Sequence, residues 1–270
     1  MNDEIQKTVT EQVIGSPDVT IGSWTPGEAE QLFTALEEPN WAPWLAAGVP
    51  SIAGRATVFP EGQLVMKEGS LYVASLSLNR IQWDGNSKTL PSWDDVAGNP
   101  TDYSMTYSPK GNTLVLLSMN VAGAWKGKHI PGKMITEAMV VAKTLGIEHL
   151  VGSFRPSGYG AAKKALGYGL SFEQYCTLTR EGSDKPVDPW LGSLWHMGMQ
   201  MIAVDHKAMT VAVTPDEFAG YKAQYKPDMW QAITSGVWEC GEVGKWSVDP
   251  ETHVAIYQES NIWGRLPLGA

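Results

Sequence analysis

The sequence NTLVLLSMNV (Asn112–Val121) is followed by AGAWKGKHI (Ala122–Ile130), PGKMITEAMVVAKTL (Pro131–Leu145) and HLVGSF (His149–Phe154). The first segment is an almost continuous apolar run, which predicts a strand buried on both faces. The third places its apolar residues on one helical face and has a proline in its first turn. The fourth predicts another strand. A strand, a loop, a helix and a strand in this order indicate a parallel or mixed sheet.

Composition indicates an ordinary globular protein. Of 270 residues, 43% are hydrophobic and 18% are charged, and no low-complexity tract or clean linker divides the chain. We therefore expect one elaborated domain over residues 1–270. The formal net charge of −9 argues against a broad nucleic-acid-binding surface.

Cysteine usage and hydropathy indicate the cellular setting. Cys176 and Cys240 are the only cysteines, and their spacing fits neither a disulfide framework nor a structural zinc site. The polar N-terminus has no signal-peptide core, and no stretch approaches ~18 uninterrupted apolar residues. These features predict a cytoplasmic protein that has no membrane partner.

The N-terminal third begins with a strand at Thr20–Trp24 and a capped helix. Thr25 and Glu28 form a capping-box pattern around Pro26, which predicts a helix reaching about Glu37. A hairpin of Gln63–Lys67 and Leu71–Leu78 is expected next. Residues 82–109 are rich in turn formers and predict a long excursion in loops.

The C-terminal half is predicted to alternate helices and strands. We expect a short helix at Ala161–Leu166, and then a helical turn that runs into a strand over Phe172–Arg180, with Cys176 as a buried strand residue. A helical stretch from Asp188 to Met201 and a strand from Ile202 should follow. The last expected elements are a helix over Pro215–Tyr225 and a strand over Val254–Glu259.

The loop Ala122–Ile130 carries the chemistry of the central segment. A loop that leads into a helix presents unpaired backbone N–H groups at the positive end of that helix, where a phosphate can bind. Lys126, Lys128 and Lys133 place three positive charges there, although the chain is acidic elsewhere. The alternative is a solvated connection whose lysines simply face water.

The run SMNVAGAWKGKHIPGKMITEAMVVAKTLGIEHLVGSFRPS (Ser118–Ser157) resembles the acetyl-CoA motif of the GNAT superfamily. The resemblance implies an α/β (α+β) GNAT fold, with a mixed central β-sheet flanked by helices. It also implies a cofactor core of about residues 112–180 and a substrate-shaping C-terminal extension of about 181–270. Lys126, His129 and Pro131 depart from the family's Gln/Arg-x-x-Gly-x-Gly/Ala loop, at its Gln/Arg, first Gly and last Gly/Ala positions.

A narrower likeness covers the C-terminal half. Phe154–Ser157 (FRPS), Asp188–Leu191 (DPWL), Gly198 and Glu259–Trp263 (ESNIW) occur in the order found in a bacterial GNAT subgroup that has an extended C-terminal region. The resemblance spans roughly Leu114 to Trp263.

The resemblance implies that acetyl-CoA or another acyl-CoA binds as the donor substrate, with no metal. It places the thioester in a gap between two splayed strands and the pyrophosphate on the loop. The implied cofactor-binding residues are Met119, Asn120, Val121, Lys126, Gly127, Lys128, His129, Ile130, Gly132, Lys133, Arg155 and Ser157.

Acyl transfer needs a base for the ammonium, a donor to the oxyanion and an acid for the leaving thiolate. Many GNAT members carry a tyrosine as that acid, and Tyr168 is our first candidate here, followed by Tyr159. His129 and His196 are further catalytic candidates. For each of these side chains the alternative is an ordinary packed or loop residue.

The leading hypothesis is an acyltransferase that moves an acyl group onto the amine of a small molecule by direct attack. One alternative is a malonyl-thioester decarboxylase and S-acyltransferase serving a carrier protein. GNAT-like loading domains of polyketide synthases resemble this chain in Asp-Pro-x-Leu, but have a histidine where Leu194 stands, and the nearest histidine here is His196.

Two further alternatives concern the donor and the activity. The donor could be an aminoacyl-tRNA in a natural-product pathway, or the chain could be a GNAT module that binds without turnover. A homodimer is also considered.

Overall fold

The computed structural model describes residues 19–98, 103–166, 169–249 and 251–268. The chain divides into two compact units, and each is described by itself. The N-terminal unit comprises residues 1–91, 95–151 and 267–270, and the C-terminal unit comprises residues 92–94 and 152–266. The single-domain organisation expected from composition stays a prediction.

The N-terminal unit contains five consecutive strands and the helices that cover them. Its elements in chain order are β1 (Val19–Ser23), α1 (Ala29–Leu32), α2 (Val49–Val58), β2 (Gln63–Glu68), β3 (Leu71–Ile81), α3 (Trp93–Ala97), β4 (Thr113–Val121), α4 (Ile130–Thr144) and β5 (His149–Phe154). Both α3 and β5 continue across the unit boundary. The strand order is β1-β2-β3-β4-β5, and the three pairings from β1 to β4 are antiparallel.

The first helical segment changes its winding along its length. A 3-10 turn (Pro26–Glu28) leads into α1, and a π-helical turn follows at Phe33–Glu37. The predicted capping box is confirmed, because the Glu28 carboxylate accepts the Thr25 N–H at 2.8 Å. The π turn ends at Glu37, a carboxylate that is only 5% exposed. π turns are rare and often occur at functional sites.

An apolar cluster holds this segment to α2 and β2. It contains Trp24, Ala29, Leu32, Leu36, Ile52, Ala56 and Val65, all buried. Burial of a large aliphatic or aromatic side chain stabilises a fold by about 1.5–3 kcal/mol. The segment is therefore anchored along its apolar face, which positions the polar residues at its end.

The central strand-loop-helix-strand prediction is confirmed. The carbonyl of Asn112 accepts the N–H groups of Glu148 at 2.8 Å and His149 at 3.2 Å, so β4 and β5 start at the same end and run parallel. α4 connects them, and it buries Ile130, Met134, Ile135, Ala138, Val141 and Ala142. Gly146, at φ +64°, follows the helix end as predicted.

The C-terminal unit is built around one long strand. Its elements are α5 (Tyr159–Ala165), α6 (Phe172–Thr177), α7 (Pro189–His196), β6 (Gln200–Val213), α8 (Pro215–Gln224), β7 (Gln231–Thr234), β8 (Val237–Glu239), β9 (Lys245–Asp249) and β10 (Val254–Leu266). β10 pairs antiparallel with both β6 and β9, and the antiparallel order continues from β9 to β8 and β7.

Two details of residues 172–180 differ from the sequence-based expectations, and the segment 82–109 expected to form loops contains α3. The strand expected at the end of Phe172–Arg180 is reduced to an isolated bridge between Thr179 and Pro186. Cys176 lies on α6 rather than on a strand, because Ser171 and Gln174 form a capping box that starts a helix there. Both Cys176 and Cys240 are free and buried, and burial raises the pKa of each thiol to about 12.

No helix of the described ranges is long and apolar enough to cross a bilayer. Within the same ranges, no three His, Cys, Asp or Glu side chains come together as a metal-binding group.

Candidate functional site

The loop before α4 has a backbone shape that leaves donors available. A 3-10 turn (Gly123–Trp125) ends β4, after which Gly127 has φ +80° and His129 has φ +58°. His129 occupies the N-cap of α4 without a side-chain capping bond. The first N–H groups of a helix have no partner within the helix. A ligand with oxygen acceptors can therefore bind at this end of α4.

Lysines surround this helix end. Lys126, Lys128 and Lys133 are exposed, and the ammonium of Lys128 lies 4.6 Å from the centre of the Trp125 ring. The predicted loop residues from Lys126 to Lys133 thus lie together at one end of α4. Exposed backbone donors, the helix dipole and flexible positive charges are the features that bind phosphate.

The last residues of β4 lie beside a buried carboxylate. Asn120 donates from its side-chain nitrogen to Glu37 at 2.5 Å, and its side-chain oxygen accepts the indole N–H of Trp41 at 2.7 Å. The other Glu37 oxygen accepts the N–H of Ala47 at 2.8 Å. Burial raises the pKa of Glu37 despite these bonds. Asn120, one of the predicted cofactor-binding residues, thus connects β4 to the π turn through its side chain.

A polar pocket continues from this contact across β3 and β4. It is lined by Trp24, Leu32, Glu37, Ile52, Arg55, Ser75, Ser77 and Ser118. The register pairs Ser75 with Asn120 and Ser77 with Ser118, so the polar residues share one face of the sheet. A polar face beneath helices is unusual for a core, because unpaired polar groups there are costly.

The Arg55 side chain of this pocket is buried without a hydrogen-bond partner for its Nε in the part of the chain that the structure describes. It lies on α2 and is only 6% exposed. Burial lowers the pKa of Arg55, and the charge of Glu37 opposes that effect. No salt bridge joins the two side chains among the described residues, whose ion pairs all lie elsewhere.

In the C-terminal unit, Arg155 is held by two glutamates. Its guanidinium donates to Glu242 at 2.7 Å and to Glu259 at 3.0 Å. Burial alone would lower the pKa of Arg155, but these carboxylates raise it well above its usual value. Glu259 also accepts the Tyr257 hydroxyl at 2.6 Å. The guanidinium predicted to contact the cofactor is therefore engaged by its own unit.

Tyr159 and Lys163 lie on α5 and are both buried. The Tyr159 hydroxyl donates to the carbonyl of Leu170 at 3.1 Å, and burial raises its pKa to about 12. The Lys163 ammonium bonds Glu239 and the carbonyl of Val243, each at 3.0 Å. These contacts suit packed residues, and the catalytic role of Tyr159 stays a prediction. Tyr168 lies outside the described residues.

The remaining predicted residues are at the surface. Ser157 and His196 are exposed, and the His196 Nε2 lies 2.5 Å from the Lys185 ammonium. His129 is exposed at the helix cap. Leu194, which occupies the histidine position of the loading-domain pattern, is fully buried. The catalytic roles of both histidines stay predictions.

Asp188 caps α7 and also binds two other segments. One carboxylate oxygen accepts the N–H groups of Trp190 and Leu191, each at 2.9 Å. The other accepts the Gly158 N–H at 2.7 Å and the Tyr175 hydroxyl at 3.0 Å. This 1% exposed residue joins α6, α7 and the segment after β5.

Sequence reasoning missed Glu37 and Arg55. The sequence did contain one signal, since Arg55 follows Ile52 by three residues and precedes Ala56 on the face of α2 that packs inward. A charged residue on an apolar helical face indicates a buried polar site. The contact of Glu37 with Asn120 joins positions 83 residues apart, and no local pattern reveals it.

Comparisons with known proteins identify the fold. No family model and no curated protein matches the chain. The loading GNATL domain of CurA from Lyngbya majuscula is similar in structure, with a TM-score of 0.62 and 12% identity over 93% of this chain and 98% of that one. The GphF GNAT-like decarboxylase in complex with isobutyryl-CoA has a TM-score of 0.60 and 20% identity over 92% and 99%. The chain therefore has the GNAT fold, as predicted.

Proposed function

We propose that this GNAT-fold chain is an acyltransferase that takes its acyl group from a CoA-type thioester bound at the N-terminus of α4. The observation that carries the proposal is the loop itself. Positive φ at Gly127 and His129 brings backbone donors, the helix dipole and three lysines to one exposed point. The similarity to the GphF GNAT-like decarboxylase, whose structure is in complex with isobutyryl-CoA, supports this donor class.

The proposed acceptor is the amine of a small molecule, which would attack the thioester carbonyl directly. The backbone at Met119–Val121 is the proposed place for that carbonyl, at the end of β4. Glu37 lies against Asn120 within this stretch. Burial raises the pKa of Glu37, and we propose this carboxyl group as the base for the ammonium.

Thermal unfolding with and without CoA and acetyl-CoA tests the donor site. A ligand at 100 times its Kd stabilises a native protein by about 2.7 kcal/mol, so the Tm should rise by several degrees. Lys126→Ala and Lys133→Ala should each weaken binding by about fivefold, as the loss of about 1 kcal/mol implies. Lys143→Ala, in the last turn of the same helix, is the matched control. An unchanged Tm with every acyl-CoA would refute the proposal.

A second candidate is decarboxylation of a malonyl thioester with transfer to a carrier protein. The specific observation in its favour is that the loading GNATL domain of CurA and the GphF GNAT-like decarboxylase each match more than nine-tenths of this chain. The buried Leu194 weighs against it, because the loading-domain pattern has a histidine there. Release of CO2 from malonyl-CoA by the purified protein would favour this candidate, and intact malonyl-CoA would exclude it.

A further inference from the structure

The pocket between α2 and the strands β3 and β4 needs an acceptor of hydrogen bonds. Arg55 has five N–H donors on a planar fork, and no hydrogen bond or ion pair of its side chain is found within the described ranges. Glu37 interacts with this side chain through its charge, but a buried guanidinium whose N–H groups have no hydrogen-bond partner remains costly. The side chain is nevertheless held inside, on a helix anchored by Ile52 and Ala56.

Glu37 does not supply the missing acceptor. Its two oxygens already accept from the Ala47 N–H and from Asn120. Ser77 donates to Gln63 at 2.7 Å, whereas no bond of the Ser118 hydroxyl is found in the described part of the chain. Among the described residues, the pocket therefore contains two groups with unused donors, the Arg55 guanidinium and the Ser118 hydroxyl.

The chemistry of these donors favours a carboxylate. A guanidinium binds a carboxylate through two parallel hydrogen bonds, and such charge-assisted pairs are about twice as strong as neutral ones. Trp24, Leu32 and Ile52 complete the lining of the pocket.

The place of the pocket links it to the proposed reaction. Ser118 immediately precedes Met119–Val121, the proposed position of the thioester carbonyl, and Asn120 faces the same side of β4 as Ser118. A group bound by Arg55 would therefore belong to a molecule that is reacting at the end of β4.

We propose that Arg55, with Ser118 as a second donor, binds a carboxylate of the substrate in this pocket. The inference rests on the proposed function. The carboxylate belongs either to the far end of the donor's acyl chain or to the amine acceptor, and both sources present the same chemistry to Arg55.

Calorimetric titration of the full chain separates the two sources. If the donor carries the carboxylate, succinyl-CoA should bind at least tenfold more tightly than butyryl-CoA, which ends in a methyl group. Arg55→Met should abolish this preference. If the acceptor carries it, amino acids should bind the acetyl-CoA-loaded protein more tightly than their carboxamides, and Arg55→Met should remove that difference.

Two further variants keep the test decisive if Arg55→Met does not fold. Arg55→Lys keeps the charge but loses the planar fork, and Ser118→Ala changes a partly exposed side chain; each should reduce the preference by several-fold. The proposal is overturned if wild type shows neither preference, or if the preference is undiminished in these variants. Failure of every CoA thioester to bind would instead refute the proposed function. In that case the carboxylate site is still supported if free succinate stabilises wild type but not the Arg55 variants.

Discussion

At the scale of single residues, the loop before α4 depends on two positions with positive φ. Gly127 adopts φ +80° and His129 adopts φ +58°. Glycine adopts such a conformation freely, whereas a residue with a Cβ does so at a cost of about 1–2 kcal/mol. His129 therefore stores a small strain at the cap of α4, at the position where the family pattern has glycine.

Gly127→Ala should destabilise the protein by about 1 kcal/mol and weaken CoA binding. The added Cβ would meet open space, so the whole effect comes from the backbone conformation. Gly123→Ala is the matched control, because its Cβ also meets open space and its φ is not positive. Denaturant unfolding and CoA titration of both variants check this; equal effects of the two substitutions would contradict it.

At the scale of elements, Asp188 and Thr214 are helix caps in opposite environments. Asp188 is buried and accepts four hydrogen bonds, from Trp190, Leu191, Gly158 and Tyr175. Thr214 is exposed and accepts the Glu217 N–H at 3.3 Å, within a capping box that starts α8. Loss of the Asp188 cap leaves buried donors unpaired. Loss of the Thr214 cap leaves an exposed N–H group that water can bind.

Asp188→Ala should therefore lower the free energy of unfolding by about 3 kcal/mol, and Thr214→Ala by only about 1 kcal/mol. Asp188→Asn should fall between them, because the amide keeps one acceptor oxygen. Urea unfolding followed by tryptophan fluorescence measures all three. A smaller loss for Asp188→Ala than for Thr214→Ala would contradict the assigned contacts.

Elements with a strong local pattern could be predicted from the sequence. β5 was expected at His149–Phe154 and lies there, and α4 begins and ends one residue before its predicted bounds. Phe172–Thr177 was partly misread, because the local capping signal at Ser171 outweighs the tendency of apolar residues to form a strand. Contacts between distant positions, such as Glu37 with Asn120, depend on tertiary packing and could not be predicted locally.

At the scale of the whole molecule, stability should depend on acid pH through buried carboxylates. Burial alone would raise the pKa of Glu242, but Arg155, Lys226 and Tyr225 outweigh that effect and hold it at about 2. Lys226 and Tyr225 lie 2.9 and 2.7 Å from its oxygen. A pKa displaced from 4.5 to about 2 corresponds to about 3 kcal/mol.

Because this pKa is lower in the folded chain, its stabilisation is complete above about pH 5 and is lost as the pH falls toward 2. Glu242→Gln should be less stable than wild type at pH 7, and its stability should fall less between pH 5 and 2. Glu181→Gln, at an exposed position, should follow wild type throughout. Equal acid slopes for wild type and Glu242→Gln would contradict this explanation.

The buried cysteines give the C-terminal unit a built-in chemical reporter. Both thiols belong to residues 152–266, and both are protonated at neutral pH because burial raises their pKa to about 12. A thiol-specific reagent reacts with the thiolate, so the folded unit should resist labelling. The rate at which a maleimide or a disulfide dye modifies the chain then reports how often this unit opens. Local opening of the C-terminal unit can thus be followed without introducing a cysteine.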